Sequence, residues 1–425
     1  MAQFTSLTDW LDYQAQLHPI AMDFGLDRVR DVANRLGLLS PKSKVVTVAG
    51  TNGKGSSTAM LSAIYTQAGY TTGWYSSPHI WRYNERIRIN NHPVTDEQLI
   101  FAFSTIEQAR GEVSITVFEW GVLAALWLFA QANCDVIILE VGLGGRLDAV
   151  NIIDADISLI TAIDVDHAAY LGNSREVIAP EKAGIMREGR PAIVSDPNPP
   201  TSLINTAQRI GVSSLQLLGK DYHYQRASDA SWQWSNHVDT LTLSNPLLQG
   251  DFQFNNAAGS VAVVQSLQAV LPVSQTQLSS GLTKTTLSGR LQTVMHEGHA
   301  WLLDIAHNPQ SIQSLVTYLK TETRPVYLVF SALEDKDIVQ MMQMLEPIVS
   351  QWWIAPLNAP RAADLSRLKR SAMSAGLTEI SWCDNINDAC TSAQFSAEEK
   401  DVLLLACGSF LTIEQVGCWL GVAHG

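Results

Sequence analysis

Cysteine is scarce in this sequence and shows no pairing pattern. Cys134, Cys383, Cys390, Cys407 and Cys418 are odd in number and none forms a CxxC pair. That excludes a disulfide-built scaffold and leaves small buried thiols in a reducing, cytoplasmic setting as the expectation. Positive charge is also short: 28 Lys and Arg stand against 41 Asp and Glu, a net charge of −13. A general nucleic-acid or anionic-membrane binder needs a basic face, so neither partner is expected, and any anionic ligand must find its positive groups locally. The start, MAQFTSLTDWLDYQ, has no cationic stretch and no apolar run, so no secretory signal is expected. The most apolar segment, 121–141, carries Gln131, Asn133 and Asp135, which would be costly in lipid. A buried helix, a turn and a buried strand are expected there. Internal repeats and low-complexity tracts are absent as well.

What remains is a chain of 425 residues, 46% hydrophobic and 16% charged, enough for two domains with large packed cores. A short apolar strand at 45–48 is followed by a glycine-rich loop at 50–55 and a helix at 56–67. Apolar runs return at 136–141, 157–163 and 192–195, as strands buried on both faces of a parallel sheet would read. Between about 215 and 250 polar and aromatic residues alternate, which predicts short antiparallel strands near the surface. A helix is expected at 255–269, and a Ser/Thr/Gln-rich piece at 273–290 marks a domain boundary near 286. Beyond it, strands at 301–305, 326–330, 352–355, 380–382 and 402–406 alternate with helices at 309–320, 337–349, 364–375, 386–394 and 411–420. The expected fold is α/β: residues 1–286 a P-loop-like domain with a mainly parallel sheet plus a small antiparallel one, and residues 287–425 a smaller Rossmann-like domain.

The loop VVTVAGTNGKGSS at 45–57 fails the literal phosphate-loop pattern, because Lys54 is followed by Gly55 and the hydroxyl comes one place later. It still supplies every physical part. Gly50, Gly53 and Gly55 allow a tight backbone whose N–H groups converge. Lys54 brings charge, Ser56 a hydroxyl for Mg²⁺, and a helix N-terminus lies behind. A glycine-rich turn with a solvated lysine is the plainer alternative.

GTNGKGS resembles the loop of the folylpolyglutamate synthase and Mur ligase superfamily. SSPHIWRYNERIRIN at 76–90, FEWGVLAALWLF at 118–129, LEVGLGGRLDAVN at 139–151, DVDHAAYLGNSREVIAPEKAGI at 164–185, GRL at 289–291, LLDIAHNPQS at 302–311, DKD at 335–337 and GSF at 408–410 narrow this to its folate branch. The resemblance runs in order over essentially the whole chain and is closest to the bacterial bifunctional type, which is also a dihydrofolate synthase. It implies ATP-dependent amide formation. A carboxylate of dihydropteroate or of a reduced folate takes the γ-phosphoryl group, the amine of L-glutamate attacks the acyl phosphate, and phosphate leaves. ATP and Mg²⁺ at two sites are implied, with small-molecule substrates and a monomer.

The roles implied by the resemblance fall on particular residues. Gly50, Thr51, Asn52, Gly53, Lys54, Gly55, Ser56 and Ser57 would cradle ATP phosphates. Glu140 ends a buried strand, where ligands gather in α/β sheets, and would join Ser56 around a metal; capping or an ion pair with Arg146 is the structural alternative. His167, beside Asp164 and Asp166, would help hold the second metal. Lys182 would do so once N-carbamylated, although a helical lysine is usually solvated. With Lys54, these three make the expected catalytic set. Ser77, Pro78 and His79, preceded by Ser76, would bind the pterin or folate, together with Arg82, Phe118, Glu119 and Asp148; Phe118 could equally be core packing. Arg86 and Arg88 are further candidates for the glutamate carboxylates of folate. Gln253 and Asn256 would read the adenine edge, although Phe252 stands where the family usually has His. Arg290, Asp304 and His307 would reach ribose and phosphates from the second domain, so the ATP site is expected where both domains converge. DKD and Arg361 would bind glutamate or remain surface charge. A cell-wall Mur-type ligase would need a separate domain before the first strand, for which 44 residues are few. A non-enzymatic nucleotide-binding protein would not need Lys54, Ser56, Glu140, His167 and Lys182 together.

Overall fold

The computed structural model describes residues 4–18, 23–227 and 230–422. The chain divides into two compact units, Met1–Leu247 with Gln253–Thr286, and Leu287–Gly425 with Leu248–Phe252.

In the first unit the described residues form an eight-stranded sheet of order β4-β3-β2-β5-β1-β6-β7-β8. Its strands are β1 (Lys44–Ala49), β2 (Thr72–Tyr75), β3 (Ile87–Ile89), β4 (His92–Pro93), β5 (Val136–Glu140), β6 (Ile157–Ile160), β7 (Pro191–Val194) and β8 (Ser214–Leu217). All neighbours are parallel except β2–β3 and β3–β4. The central strands are the continuous apolar runs of the sequence, and β5 and β6 are buried throughout. The helices are α1 (Leu7–Leu17), α2 (Asp27–Arg35), α3 (Lys54–Gln67), α4 (Asp96–Arg110), α5 (Val117–Gln131), α6 (Ala168–Leu171), α7 (Arg175–Ala183), α8 (Thr201–Ile210), α9 (Phe252–Ser266) and α10 (Gln275–Lys284). The backbones of α3 and α10 come close because Gly281 has no side chain: a Cβ there would lie 2.5 Å from the Ile64 Cα. Segment 121–141 resolves into α5 and β5, and no helix among the described residues is long and apolar enough to cross a membrane. Residues 215–250 form the expected small antiparallel sheet, β9 (Tyr222–Arg226), β10 (Ser231–Asn236) and β11 (Thr240–Ser244).

The second unit is a six-stranded sheet, again among described residues, of order β12-β13-β17-β14-β15-β16. Its strands are β12 (Gln292–His296), β13 (His299–Leu303), β14 (Val326–Phe330), β15 (Val349–Ile354), β16 (Ile380–Trp382) and β17 (Leu403–Cys407). Helices α11 (Pro309–Leu319), α12 (Ile338–Leu345), α13 (Leu365–Ala375), α14 (Ile386–Ala397) and α15 (Phe410–Trp419) connect them. The sequence did not predict β12. It is an antiparallel edge strand whose side chains alternate between half-buried and exposed, so it lacks the apolar run that marks its neighbours.

Candidate active site

Three neighbouring strands of the first unit end together. Register pairs Val48 with Glu140 and Ala49 with Ile160, so the exits of β1, β5 and β6 lie side by side, where α/β sheets bind ligands. The exit of β1 is the glycine-rich loop. Its Thr51 amide donates to the Ala162 carbonyl at 2.7 Å, and Thr51 Oγ1 donates to the Asp164 carbonyl at 2.8 Å, which ties the loop to the segment after β6. Gly53 has a φ of 95° and a Cβ there would meet Asn256 Oδ1 at 2.3 Å, so both its conformation and its neighbour require glycine.

The two lysines converge on one atom. Lys54 Nζ donates to the Gly50 carbonyl at 3.0 Å and to that of Thr51 at 3.1 Å, while Lys182 Nζ, from α7, donates to the same Gly50 oxygen at 2.8 Å. Lys182 is buried. Burial first, then the charge of Lys54, holds its proton affinity well below that of an ordinary lysine, against the opposing pull of Asp166 and Asp148. Glu140 is buried at the end of β5. Arg146, which the sequence offered as its ion-pair partner, instead binds Glu181 at 3.0 Å. His167 sits at φ 51° as the first cap of α6, and its amide donates to Asp166 Oδ1 at 2.8 Å. Among the described residues there is no group of three or more His, Cys, Asp and Glu placed to hold a metal ion. The expected donor set contains only two such residues, Glu140 and His167, so it fits a cation that takes most of its oxygens from phosphates, as Mg²⁺ commonly does.

The amides of Gln253 and Asn256 face the loop. Gln253 Nε2 donates to Ser56 Oγ at 3.2 Å, and Asn256 Nδ2 donates to Gln253 Oε1 at 2.9 Å. Both are buried and brace the glycine-rich loop through Ser56. Phe252, next to them in sequence, packs on the core of the second unit.

The residues expected around a pterin or folate form a second group. Glu85 accepts from the amides of Ile80, Trp81 and Arg82 at 2.8–3.0 Å and so shapes the segment after Ser76-Ser77-Pro78-His79. Arg86 Nε donates to His79 Nδ1 at 2.7 Å. Arg82 is exposed and pairs with Asp96, and Arg88 stacks on Trp74 at 4.6 Å. The Phe118 ring lies where a Cβ of Gly142 would be, 2.6 Å away. Glu119 closes a capping box with Thr116 and also binds Arg28 at 3.3 Å; its carboxylate organises the start of α5. Asp148 accepts from the amides of Gly142, Leu143 and Val150. Burial nevertheless raises its proton affinity, to a pKa of about 6. Sequence reasoning missed Arg28, Glu85 and Thr116, although Thr116-Val-Phe-Glu119 carries the capping-box spacing openly.

His79 provides a pH test. Burial, then Arg86, lowers its pKa from 6.5 to about 4 against Glu85. The unfolded chain therefore takes up this proton first as pH falls. The stabilising contribution is present above pH 6.5 and lost as pH falls through about 4, to a limit of about 3 kcal/mol. Thermal melts of His79→Gln should show a shallower loss of stability across that window. A profile parallel to wild type would refute the half-buried neutral imidazole.

In the second unit Asp304 is buried and accepts from the Leu291 and Ala306 amides at 2.9 and 2.8 Å. Arg290 and His307 both lie against Phe410, at 5.6 and 5.7 Å. Asp337 caps α12, and Asp335 pairs with Arg361 at 3.0 Å.

Residues 48–264 match the Mur ligase middle domain, and residues 289–410 match the glutamate ligase domain of Mur ligases. The chain is 41% identical over 413 residues to the dihydrofolate synthase/folylpolyglutamate synthase of Escherichia coli K12, covering 96% of this chain and 94% of that one. The fold is similar to E. coli FolC in complex with DHPP and ADP, with a TM-score of 0.92, 39% identity and 100% of each chain covered. It is similar also to the bifunctional folylpolyglutamate synthase/dihydrofolate synthase of Yersinia pestis complexed with AMPPNP and Mn ion, at 0.91 and 39%, covering 99% of this chain and 100% of that one.

Proposed function

The chain belongs to the dihydrofolate synthase/folylpolyglutamate synthase family of Mur-type ligases, and from that premise we propose how its own residues carry the reaction. It is an ATP-dependent ligase that adds L-glutamate to 7,8-dihydropteroate and to reduced folates. The acceptor carboxylate attacks the γ-phosphorus and the bond to ADP breaks. The glutamate amine then attacks the acyl phosphate carbon, losing a proton, and phosphate leaves with the electron pair of the broken acyl C–O bond. The observation that carries the assignment of residues is the convergence of Lys54 and Lys182 on the Gly50 carbonyl beside the β5 and β6 exits.

In this reading the loop amides and Lys54 hold the phosphates and offset charge that builds during transfer. Divalent cations neutralise the phosphoryl oxygens when bound. Ser56 and Glu140 would hold one, and His167 and Lys182 the other. An ammonium at Lys182 would repel a cation. A neutral amine can instead add CO₂, forming an N–C bond and releasing one proton, to give an anionic carbamate. Phe118 would lie against the flat face of the acceptor and His79 would meet its polar edge. Asp148 and Glu119 hold the loops that carry this pocket. The net charge of −13 and five free thiols support a reducing, cytoplasmic setting with small-molecule substrates.

Labelled glutamate incorporation with ATP and Mg²⁺, run separately with dihydropteroate and with tetrahydrofolate, tests the function. Incorporation into both is expected. Incorporation into one alone would leave a monofunctional ligase, and incorporation into neither would overturn the reading.

A further inference from the structure

Two tyrosine hydroxyls lie buried inside the first unit near the Arg86 side chain. Tyr75, the last residue of β2, is fully buried and Tyr83 is 6% exposed; the Tyr75 hydroxyl engages the Arg86 side chain, while the Tyr83 hydroxyl has no hydrogen-bond partner in the protein. They point at one place on α5. A Cβ on Gly121 would stand 2.8 Å from the Tyr83 hydroxyl and 3.1 Å from that of Tyr75, so a helix position without a side chain is what lets both phenols close on α5. The Tyr83 hydroxyl adds nothing to the fold: a buried hydroxyl without a partner is a net cost, and phenylalanine would fill nearly the same space without it. A polar group kept in that state beside a candidate ligand pocket is more readily explained by function than by folding.

Their surroundings say which function. Tyr75 leads directly into Ser76-Ser77-Pro78-His79, and its ring meets Phe118 edge-on at 6.0 Å. The Tyr83 ring lies 5.7 Å from His79 and 5.1 Å from the Arg86 guanidinium, the same Arg86 that donates to His79 at 2.7 Å. The two phenols therefore join the aromatic side of the pocket, on α5, to its polar side, on the 76–86 segment. We infer that Tyr75 and Tyr83 are positioning residues for the folate-type acceptor: Tyr75 steadies Arg86 and through it His79, the Tyr83 hydroxyl gains a partner when the 76–79 loop and α5 draw together around the acceptor, and the two so fix Phe118 and His79 at one separation. The inference rests on the reading of those two residues as acceptor contacts.

The test is Tyr75→Phe, Tyr83→Phe and the double variant, assayed for glutamate incorporation with acceptor and ATP varied separately, alongside thermal melts. The expected result is an unchanged or higher Tm in Tyr83→Phe, an acceptor KM raised about tenfold in the double variant, and an unchanged KM for ATP. Gly121→Ala should raise acceptor KM and lower Tm, and adding Tyr83→Phe should restore part of the Tm by removing the closest contact. A lower Tm in the phenylalanine variants with unaltered acceptor KM would overturn the inference and assign the hydroxyls to a water-bridged structural role. Unaltered Tm and unaltered KM would overturn it too. If the wild-type chain adds glutamate, these outcomes bear on the tyrosines alone. If it adds none, the acceptor reading has failed and the inference with it.

Discussion

Lys54→Ala should lower kcat/KM for glutamate incorporation by roughly a thousand-fold, the scale expected when a preorganised positive donor is removed from a charge-developing transition state. In the structure the ammonium is held over the loop by two carbonyls, Gly50 at 3.0 Å and Thr51 at 3.1 Å, so its charge sits on the glycine-rich loop. The effect should appear in kcat and in the KM for ATP, with acceptor affinity preserved, because the acceptor pocket is built from other segments. Two part-buried hydrogen bonds are lost as well, so melts are needed to separate charge from loop integrity. Lys54→Met keeps the aliphatic stem and should be as inactive as alanine if charge is the cause. Either variant within tenfold of wild type would remove Lys54 from the phosphate site. A coupled effect is expected at Lys182. Its proton affinity is depressed by burial and then by Lys54, so without Lys54 the Lys182 amine should hold a proton more readily.

The sequence made the central architecture legible where burial is two-sided. β1, β5 and β6 read as unbroken apolar runs because neither face meets water, and Asn133 with Asp135 marked the turn between α5 and β5. Short or half-exposed edges were not legible: β12 alternates toward solvent, and β3 and β4 span three and two residues. At the site, the loop declared itself through glycine and lysine spacing, which are local. The state of Lys182 is not local. Its partner, Gly50, is 132 residues away, and only the folded chain shows two lysines sharing one carbonyl. Tyr75 and Tyr83 gain meaning only from Gly121, which reaches them through packing. Glu119 is the instructive case in the other direction. Its capping-box spacing was in plain view, and the structure shows the carboxylate engaged with Thr116 and Arg28, a structural role that the resemblance alone does not supply. A local rule satisfied in the sequence should be spent before a residue is assigned to chemistry.

Lys182→Ala should cost about a hundred-fold or more in kcat, as losing a metal-holding group does, and short carboxylic acids should restore part of the rate. The argument starts from geometry. Two ammonium groups cannot share the Gly50 oxygen at 2.8 and 3.0 Å without strong repulsion, and Lys182 is the buried one. It is therefore the group that gives up its proton. The sign for stability follows: above the ordinary lysine value of 10.5 burial of the amine is neutral to folding, and as pH falls below it the unfolded chain takes the proton first, so stability declines. Lys182→Met should flatten that decline in alkaline melts. In the proposed site shared with His167, a neutral buried amine would leave a cation with little protein charge, whereas a carbamate would supply an anion at the same atom. Activity should then fall in CO₂-depleted buffer and return with bicarbonate, faster at higher pH because the neutral amine is the reacting form. The alanine variant should ignore bicarbonate and respond to formate or acetate. Bicarbonate-independent activity in the wild type, with no rescue of the variant, would mean that Lys182 serves the loop through its hydrogen bond to Gly50 and that the second cation is held by phosphate oxygens and His167 alone.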